Sequence, residues 1–271
     1  MYKKFYGLRE NPFNVTSDPH FLYMSKRHRE ALSSLTYGIT QRKGFITITG
    51  NIGTGKTTLC RALLNELDST TKTAFILNPR LSESQFIRAI IEDFGITIKR
   101  NSKIEMIKAL NGFLLEQLAA GNNAVLIIDE SQNLRNNILE EVRLLSNLET
   151  EKDKLFQIVL VGQPELRKKL DSLNLAQLKQ RISIRYHIKP LEQSDIPSYV
   201  NHRLEVAGLK TPGSIFTPDA LDELYTYSKG VPRLLNIACD RSMLLGYVKE
   251  LKKLDKNIIK KAISEIEGIK I

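Results

Sequence analysis

The segment that most constrains this chain is GNIGTGKTT, residues 50–58, which follows the apolar run FITIT, residues 45–49. It matches G-x-x-x-x-G-K-[ST] at every fixed position and lies between a predicted strand and a predicted helix. Its glycines allow a tight turn whose backbone N–H groups point inward, with the N-terminus of the next helix behind them. The pattern therefore predicts a loop that binds phosphate groups, in a fold where strands and helices alternate.

The residue types within this loop point to a nucleotide with its metal ion. The expected ligand is ATP or ADP. Lys56 is expected to contact the β-phosphate and, in ATP, the γ-phosphate, and Thr57 to ligate Mg²⁺ through its hydroxyl group. An accidental loop rich in glycine and threonine is the alternative, but it would require strand, spacing and helix all to coincide. We expect the whole stretch to contact the nucleotide: Gly50, Asn51, Ile52, Gly53, Thr54, Gly55, Lys56, Thr57 and Thr58.

A second motif, AVLIIDE, places Asp129 and Glu130 at the end of an apolar run. Carboxylates at the end of a buried strand are costly unless they bind something. Asp129 is predicted to complete the Mg²⁺ shell, and Glu130 to orient and deprotonate the attacking water. Adjacent strand residues point to opposite faces, so the two roles are not interchangeable. Together with the phosphate loop, the pair predicts hydrolysis of the nucleotide rather than binding alone.

Two further polar residues lie where ligands bind in parallel sheets. Gln163 follows the apolar run LFQIVLV, and it either holds the water or senses the γ-phosphate, or is only a turn residue before Pro164. Arg233 falls in the first turn of a predicted helix, in the segment GVPRLLN. A positive charge is unfavourable there, so a bound phosphate or a neighbouring carboxylate is expected to compensate it.

Apolar patterning predicts an α/β domain followed by a small helical domain. Four short apolar runs are continuous, as in central parallel strands, and the fifth, in LKQRISIRYHIKPL, alternates like an edge strand. Helical stretches separate them, and after Pro190 only helical patterns follow. We predict an N-terminal linker and nucleotide-flanking segment at 1–43, a P-loop α/β ATPase domain at 44–190 and an all-helical lid domain at 191–271.

Charge and apolar patterning bear on the class of partner. The net charge of +10 suggests an acidic partner, and residues 166–189 hold seven Lys or Arg against one acid. Such a patch is compatible with nucleic acid, phosphates or anionic lipid heads, or with solubility alone. No apolar run approaches the roughly 18 residues that span a bilayer, and no signal peptide is visible. We therefore expect a cytoplasmic protein with reduced cysteines.

These motifs resemble those of the AAA+ ATPases: GNIGTGKTT, LIIDE, a polar residue after the fourth strand, an arginine before the fifth and GVPR in a helical domain. The N-terminal stretch FYGLRENPFNVTSDPHFLYMSKRHREAL, with VGQPELRKKL and KQRISIRYHIKPL, narrows the resemblance. It is to the ATPase domain of the general secretion pathway protein A (ExeA-type) family, over about residues 1–268.

The resemblance implies a five-stranded parallel sheet in the order 5-1-4-3-2, in an oligomer that forms a ring or a filament. Gln163 corresponds to the first sensor residue, although Asn is usual there, and Arg233 to the second. Arg181 corresponds to the arginine that a subunit inserts into its neighbour's site in trans. Pro12, Phe13 and Tyr23 would lie near the adenine.

Full-length members of that secretion family look like this domain followed by a membrane span and a periplasmic region. Neither of these is seen before Ile271. The chain is thus expected to be the cytosolic portion of an inner-membrane protein or a free-standing relative. Three hypotheses share the site: an ATPase that assembles a secretion complex with a partner protein, a transposition regulator, or a nucleotide-binding switch with little turnover. The second resembles TniB, TnsC and MuB types and would bind double-stranded DNA and a transposase.

Overall fold

The computed structural model describes residues 1–77, 81–98, 102–149, 154–211 and 213–268. They divide into two compact units. One, the sheet unit, comprises Arg27–Asn51 and Leu59–Ile188. The other, the helical unit, comprises Met1–Lys26, Ile52–Thr58 and Lys189–Ile271, of which the last three residues lie outside the described ranges.

The sheet unit contains five parallel strands in the order β2-β3-β4-β1-β5. This is the predicted order 5-1-4-3-2 counted from the opposite edge, so the predicted fold class is confirmed. The strands β1 to β5 are, in chain order, Phe45–Gly50, Thr71–Ile76, Asn123–Ile128, Gln157–Gly162 and Ile182–Ile188.

The helices of the sheet unit cover both faces of this sheet or connect its strands. α2 precedes β1, α3 joins β1 to β2, α4 and α5 join β2 to β3, α6 joins β3 to β4, and α7 and α8 join β4 to β5. Their bounds are Lys26–Thr40 (α2), Lys56–Glu66 (α3), Glu83–Asp93 (α4), Lys103–Ala119 (α5), Asn136–Leu145 (α6), Pro164–Leu170 (α7) and Ala176–Arg181 (α8).

Burial explains why the central strands form where the apolar runs predict them. All six residues of β1 and of β4 are buried, as are five of the six in β3. The observed bounds differ from the apolar runs by one or two residues, because backbone pairing continues past the apolar stretch. β2, for example, begins at Thr71, which pairs with Asn123.

The edge strand β5 alternates between buried and exposed residues and pairs with β1. Ile46 and Ile184 lie against α2, where a Cβ on Gly38 would come within 2.5 Å of Ile46 and 2.7 Å of Ile184. A glycine is therefore needed at Gly38 for the helix to approach the sheet this closely. On the opposite face Thr47 pairs with Arg185, and Thr49 with His187.

The helical unit joins the N-terminal residues to the helices that follow β5. Its helices are α1 (Tyr2–Tyr6), α9 (Ile196–Val206), α10 (Pro218–Ser228), α11 (Pro232–Val248) and α12 (Lys256–Ile266). Tyr2, Tyr6, Leu8 and Phe13 share one hydrophobic core with the last four of these helices.

Candidate nucleotide-binding site

The loop after β1 has the conformation that a phosphate-binding loop requires. Gly53 and Gly55 have φ angles of 78° and 91°, which residues with a side chain rarely adopt. Thr54 and Lys56 are buried, with 1% and 6% of their surfaces exposed, and Lys56 begins α3. The N-terminus of an 11-residue helix thus follows directly on the glycine loop. The free N–H groups and the dipole of such a helix stabilise a bound anion.

Within the helical unit, this loop lies against the first turn of α11. The backbone N–H of Arg233 donates to the carbonyl of Gly53 at 3.2 Å. A Cβ on Gly53 would come within 2.6 Å of the Arg233 Cβ and 3.1 Å of Val231. In the described part of the chain no carboxylate forms a salt bridge with Arg233. Its compensation by a bound phosphate stays a prediction.

Asp129 and Glu130 lie just past the end of β3, which ends at Ile128. Asp129 is 2% exposed; its N–H donates to the carbonyl of Ile76 at 2.9 Å, and its carboxylate accepts from the N–H of Glu130 at 2.8 Å. Glu130 has a left-handed φ of 51°. The sequence predicts that alternation along a strand separates the expected roles of Asp129 and Glu130. In the structure both residues follow the strand, and the turn at Glu130 separates them instead. Backbone strain of this kind clusters at functional sites.

Two glutamine side chains hold the Glu130 carboxylate. Its Oε2 accepts from Nε2 of Gln132 at 2.6 Å and from Nε2 of Gln163 at 3.2 Å. The Oε1 of Gln132 in turn accepts from the backbone N–H of Gln163 at 3.0 Å. The structure thus brings Gln163 and Glu130 together at the carboxyl edge of the sheet, where β3 and β4 end.

Gln132 is a site residue that sequence reasoning missed. The signal was present in the sequence, because polar residues continue after the acidic pair in DESQN. Gln132 lies in a short 3-10 turn, Ser131–Asn133, and the left-handed Glu130 precedes that turn. A sequence pattern does not show that the chain reverses there and returns Gln132 toward Glu130.

Arg181 lies at the opposite edge of the sheet from Glu130. It ends α8 immediately before β5, and β5 runs parallel to β1 with Ile182 paired to Phe45 and Ile188 to Gly50. At about 3.3 Å per residue the two edges are roughly 16 Å apart, which exceeds the length of an arginine side chain. Arg181 donates to Oγ of Ser146 at 2.9 Å. It therefore does not reach the carboxyl edge of its own sheet.

The three residues predicted near the adenine all lie in the helical unit, which also contains loop residues 52–58. Phe13 is 2% exposed and packs edge-on against Phe216. The carbonyl of Pro12 accepts from Nε of Arg203 at 2.6 Å. Tyr23 packs against the rings of Tyr199 and His202. Their predicted contact with adenine stays a prediction.

The residues present fit a nucleotide with its Mg²⁺ ion. The glycine loop and Lys56 have the conformation and charge for phosphate oxygens, and the Thr57 hydroxyl and the buried Asp129 carboxylate are oxygen ligands of the kind Mg²⁺ prefers. The part of the chain that the structure describes contains no cluster of three or more His, Cys, Asp or Glu that could hold a metal ion.

The basic segment 166–189 is not one continuous free surface. Lys179 pairs with Asp171 at 2.7 Å, Lys169 donates to the carbonyl of Gln132 at 3.0 Å, and Arg181 is bound to Ser146. These contacts hold three of the seven basic side chains against the sheet unit, and of the three contacts the pair of Lys179 with Asp171 also neutralises charge.

The sheet order and these motifs define the class of fold, which is the AAA+ fold of P-loop proteins. Residues 39–170 match the family model described as an AAA domain. Solved structures share the fold over nearly the whole chain. The ORC2 protein of Aeropyrum pernix has a TM-score of 0.70 and 17% identity, over 97% of this chain and 72% of that one. Cdc6p of Pyrobaculum aerophilum has a TM-score of 0.69 and 22% identity, over 91% and 70%.

One curated relative is much more similar in sequence. The chain is 44% identical to General secretion pathway protein A of Aeromonas hydrophila over 271 residues, all of this chain and 49% of that protein. The chain thus spans about half the length of this relative. Among the helices in the described ranges, none has the length and apolar character needed to cross a bilayer.

Proposed function

We propose that the chain is a Mg²⁺-dependent ATP hydrolase in which Glu130 activates the attacking water. The observation that carries this proposal is the Glu130 carboxylate held by Gln132 and Gln163 at the carboxyl edge of the sheet, the edge at which β1 leads into the glycine loop. A carboxylate fixed by neighbouring amide groups is pre-oriented to accept a proton from water. Bound Mg²⁺ would neutralise charge on the β- and γ-phosphates.

The other residues have distinct roles in this proposal. Lys56 binds the phosphates, Thr57 and Asp129 ligate Mg²⁺, and Gln163 orients the water together with Glu130. Arg233, whose backbone N–H donates to the carbonyl of Gly53, contacts the bound phosphates.

Replacing Glu130 with Gln tests the hydrolytic step. The substitution keeps the shape and removes the base, so steady-state release of phosphate should fall by about 10²–10⁴-fold, while ATP affinity measured by calorimetry stays within a few-fold of wild type. Glu165→Gln is the matched control, because Glu165 is an exposed carboxylate in the first turn of α7. It should retain full turnover.

Two outcomes would contradict the proposal. Turnover of Glu130→Gln at the wild-type rate would remove Glu130 as the base. A wild-type protein that binds ATP without releasing phosphate would instead support the nucleotide-binding switch.

We further propose that the active unit is an oligomer in which Arg181 of one subunit completes the site of the next. The support is its placement roughly 16 Å from the carboxyl edge of its own sheet, at about 3.3 Å per strand residue. An arginine supplied by a neighbour stabilises the charge that develops on the transferred phosphoryl group.

The similarity to General secretion pathway protein A favours secretion as the process served. We propose that ATP turnover drives assembly of a secretion complex with a partner protein. The relation to transposition ATPases and the binding of DNA stay predictions, and no observation on this chain favours them over secretion.

A further inference from the structure

A cleft separate from the nucleotide loop opens on one face of β1 and β5. Its volume is about 230 Å³, and its lining residues are Thr47, Thr49, Arg167, Leu170, Arg185, Tyr186 and His187. This is smaller than the roughly 300–1,000 Å³ of pockets for drug-sized ligands. The cleft therefore suits a small group rather than a whole nucleotide.

The floor of this cleft follows from strand alternation. Thr47 and Thr49 of β1 lie opposite Arg185 and His187 of β5, and all four point away from α2 because Ile46 and Ile184 point toward it. The alternation of Ile and Thr in FITIT therefore provides one apolar face for α2 and one face of hydroxyl groups for the cleft.

The cleft is lined by cations without a carboxylate. Arg167, on α7, and Arg185 supply two guanidinium groups, and none of the seven lining residues is acidic. In the described ranges the Arg167 side chain makes no hydrogen bond or salt bridge. Arg185 donates through Nη2 to the carbonyl of Lys179 at 2.7 Å.

The nearby carboxylate of Asp171 is already engaged. Its hydrogen bond to Lys179, at 2.7 Å, is the largest of the effects that hold the pKa of Asp171 below its usual range, with smaller contributions from Arg167 and Arg185. Three cations thus face one carboxylate, which leaves a local charge of +2. Two guanidinium groups beside one cavity repel each other, and an anion bound between them would reduce that repulsion.

The floor of the cleft is polar, and its donors are guanidinium groups. Thr47 and Thr49 are 4% and 6% exposed. Their hydroxyls donate to the carbonyls of Ile184 and Tyr186, at 3.5 and 3.4 Å. Oγ1 of Thr49 also lies 3.0 Å from Nδ1 of His187. The two guanidinium groups carry five N–H donors each, which is more than the two oxygens of a carboxylate accept.

We propose that this cleft is a binding site for a phosphate monoester or inorganic phosphate, held by Arg167 and Arg185. A phosphate monoester carries close to two negative charges and three acceptor oxygens at neutral pH, which matches two guanidinium groups that bind in bidentate geometry. The site is distinct from the loop that binds the nucleotide, and it does not depend on ATP hydrolysis.

Calorimetric titration with inorganic phosphate tests this site directly. The full chain is used in a Lys56→Ala background, which removes the principal phosphate ligand of the nucleotide loop. Arg167→Ala and Arg185→Ala should each weaken binding by about tenfold or more. Lys168→Ala is the matched control, because Lys168 is an exposed cation on α7 that does not line the cleft. It should bind phosphate like the background.

Further arms identify the source of the phosphate group. Binding to phosphatidic acid vesicles but not to phosphatidylcholine vesicles, lost in the two arginine variants, would assign the site to a lipid headgroup. Binding of inorganic phosphate with no preference for those vesicles would assign it to a soluble ligand. A titration with duplex DNA completes the set. The proposal is overturned if Lys56→Ala binds neither phosphate nor the vesicles, or if the arginine variants bind as the control does. It is also overturned if the arginine variants lose affinity for duplex DNA but still bind phosphate.

Discussion

Among single residues, Gln132 is expected to hold Glu130 in position. Its amide group bridges the Glu130 carboxylate and the backbone N–H of Gln163. Gln132→Ala removes both bonds and leaves Glu130 without its shortest hydrogen bond. Hydrogen bonds to charged groups contribute about 1.5–3 kcal/mol, so the turnover of ATP should fall by about 10–100-fold. Steady-state phosphate release measures this.

A positioning role is separated from a folding defect by two further measurements. ATP affinity and the free energy of unfolding should both stay close to wild type in Gln132→Ala, and Asn133→Ala, in the same 3-10 turn, should leave turnover unchanged. Equal loss of activity in the two variants would show that the turn as a whole, and not the Gln132 amide, supports the site.

The sequence predicted those site residues whose position follows from a strand end. Asp129 and Gln163 each come just after a buried strand, and parallel strands bring such residues to one edge. Gln132 was missed because its placement depends on the left-handed backbone of Glu130. Non-glycine residues adopt that conformation rarely, so no pattern of residue types indicates it.

At the scale of elements, Arg203 fixes the N-terminal segment to α9 within the helical unit. It is 7% exposed, donates to the carbonyls of Pro12 and Asn14 at 2.6 and 3.1 Å, and lies over the ring of Phe21. Arg203→Ala should lower the free energy of unfolding by roughly 3 kcal/mol, because buried carbonyls lose charged donors. Urea denaturation followed by circular dichroism measures this.

Arg241→Ala provides the comparison on the same unit. Arg241 pairs with Glu265 at 2.8 Å, but the two side chains are 44% and 31% exposed. A pair of this kind contributes about 0–1 kcal/mol. If Arg203→Ala is no more destabilising than Arg241→Ala, the N-terminal segment is held by its apolar side chains alone.

Element prediction succeeded where local periodicity decides and was incomplete where distant segments meet. The sheet order followed from resemblance, and the edge position of β5 from the alternation of Ile182, Ile184, Tyr186 and Ile188. That Tyr2, Tyr6 and Phe13 share a core with α9 to α12 was not apparent, because about 180 residues of chain separate them and periodicity reports local structure only. The threonine hydroxyls of FITIT were missed as well, because the run was interpreted as continuously apolar.

At the scale of the whole molecule, the proposed site needs two copies of the chain. Glu130 and Gln163 lie at the carboxyl edge of the sheet and Arg181 precedes β5 at the amino edge. A subunit arrangement that brings the amino edge of one sheet to the carboxyl edge of the next is a head-to-tail contact, which generates a ring or a filament. Each subunit then supplies one arginine and receives another.

The measurement that tests this claim most directly is ATP turnover by mixed subunits. Lys56→Ala retains Arg181 but has no working loop, and Arg181→Ala retains the loop but has no arginine to supply. Each should be inactive alone. In an equal mixture that assembles at random, about a quarter of the sites join an intact loop to an intact arginine, so about a quarter of wild-type activity should return. A mixture of either variant with the Lys56→Ala, Arg181→Ala double variant is the control.

The predicted result is activity in the mixture of single variants and none in the controls. No recovery, although size-exclusion chromatography shows the two single variants in one complex, would contradict a site shared between subunits. Full turnover by Arg181→Ala alone would contradict it as well.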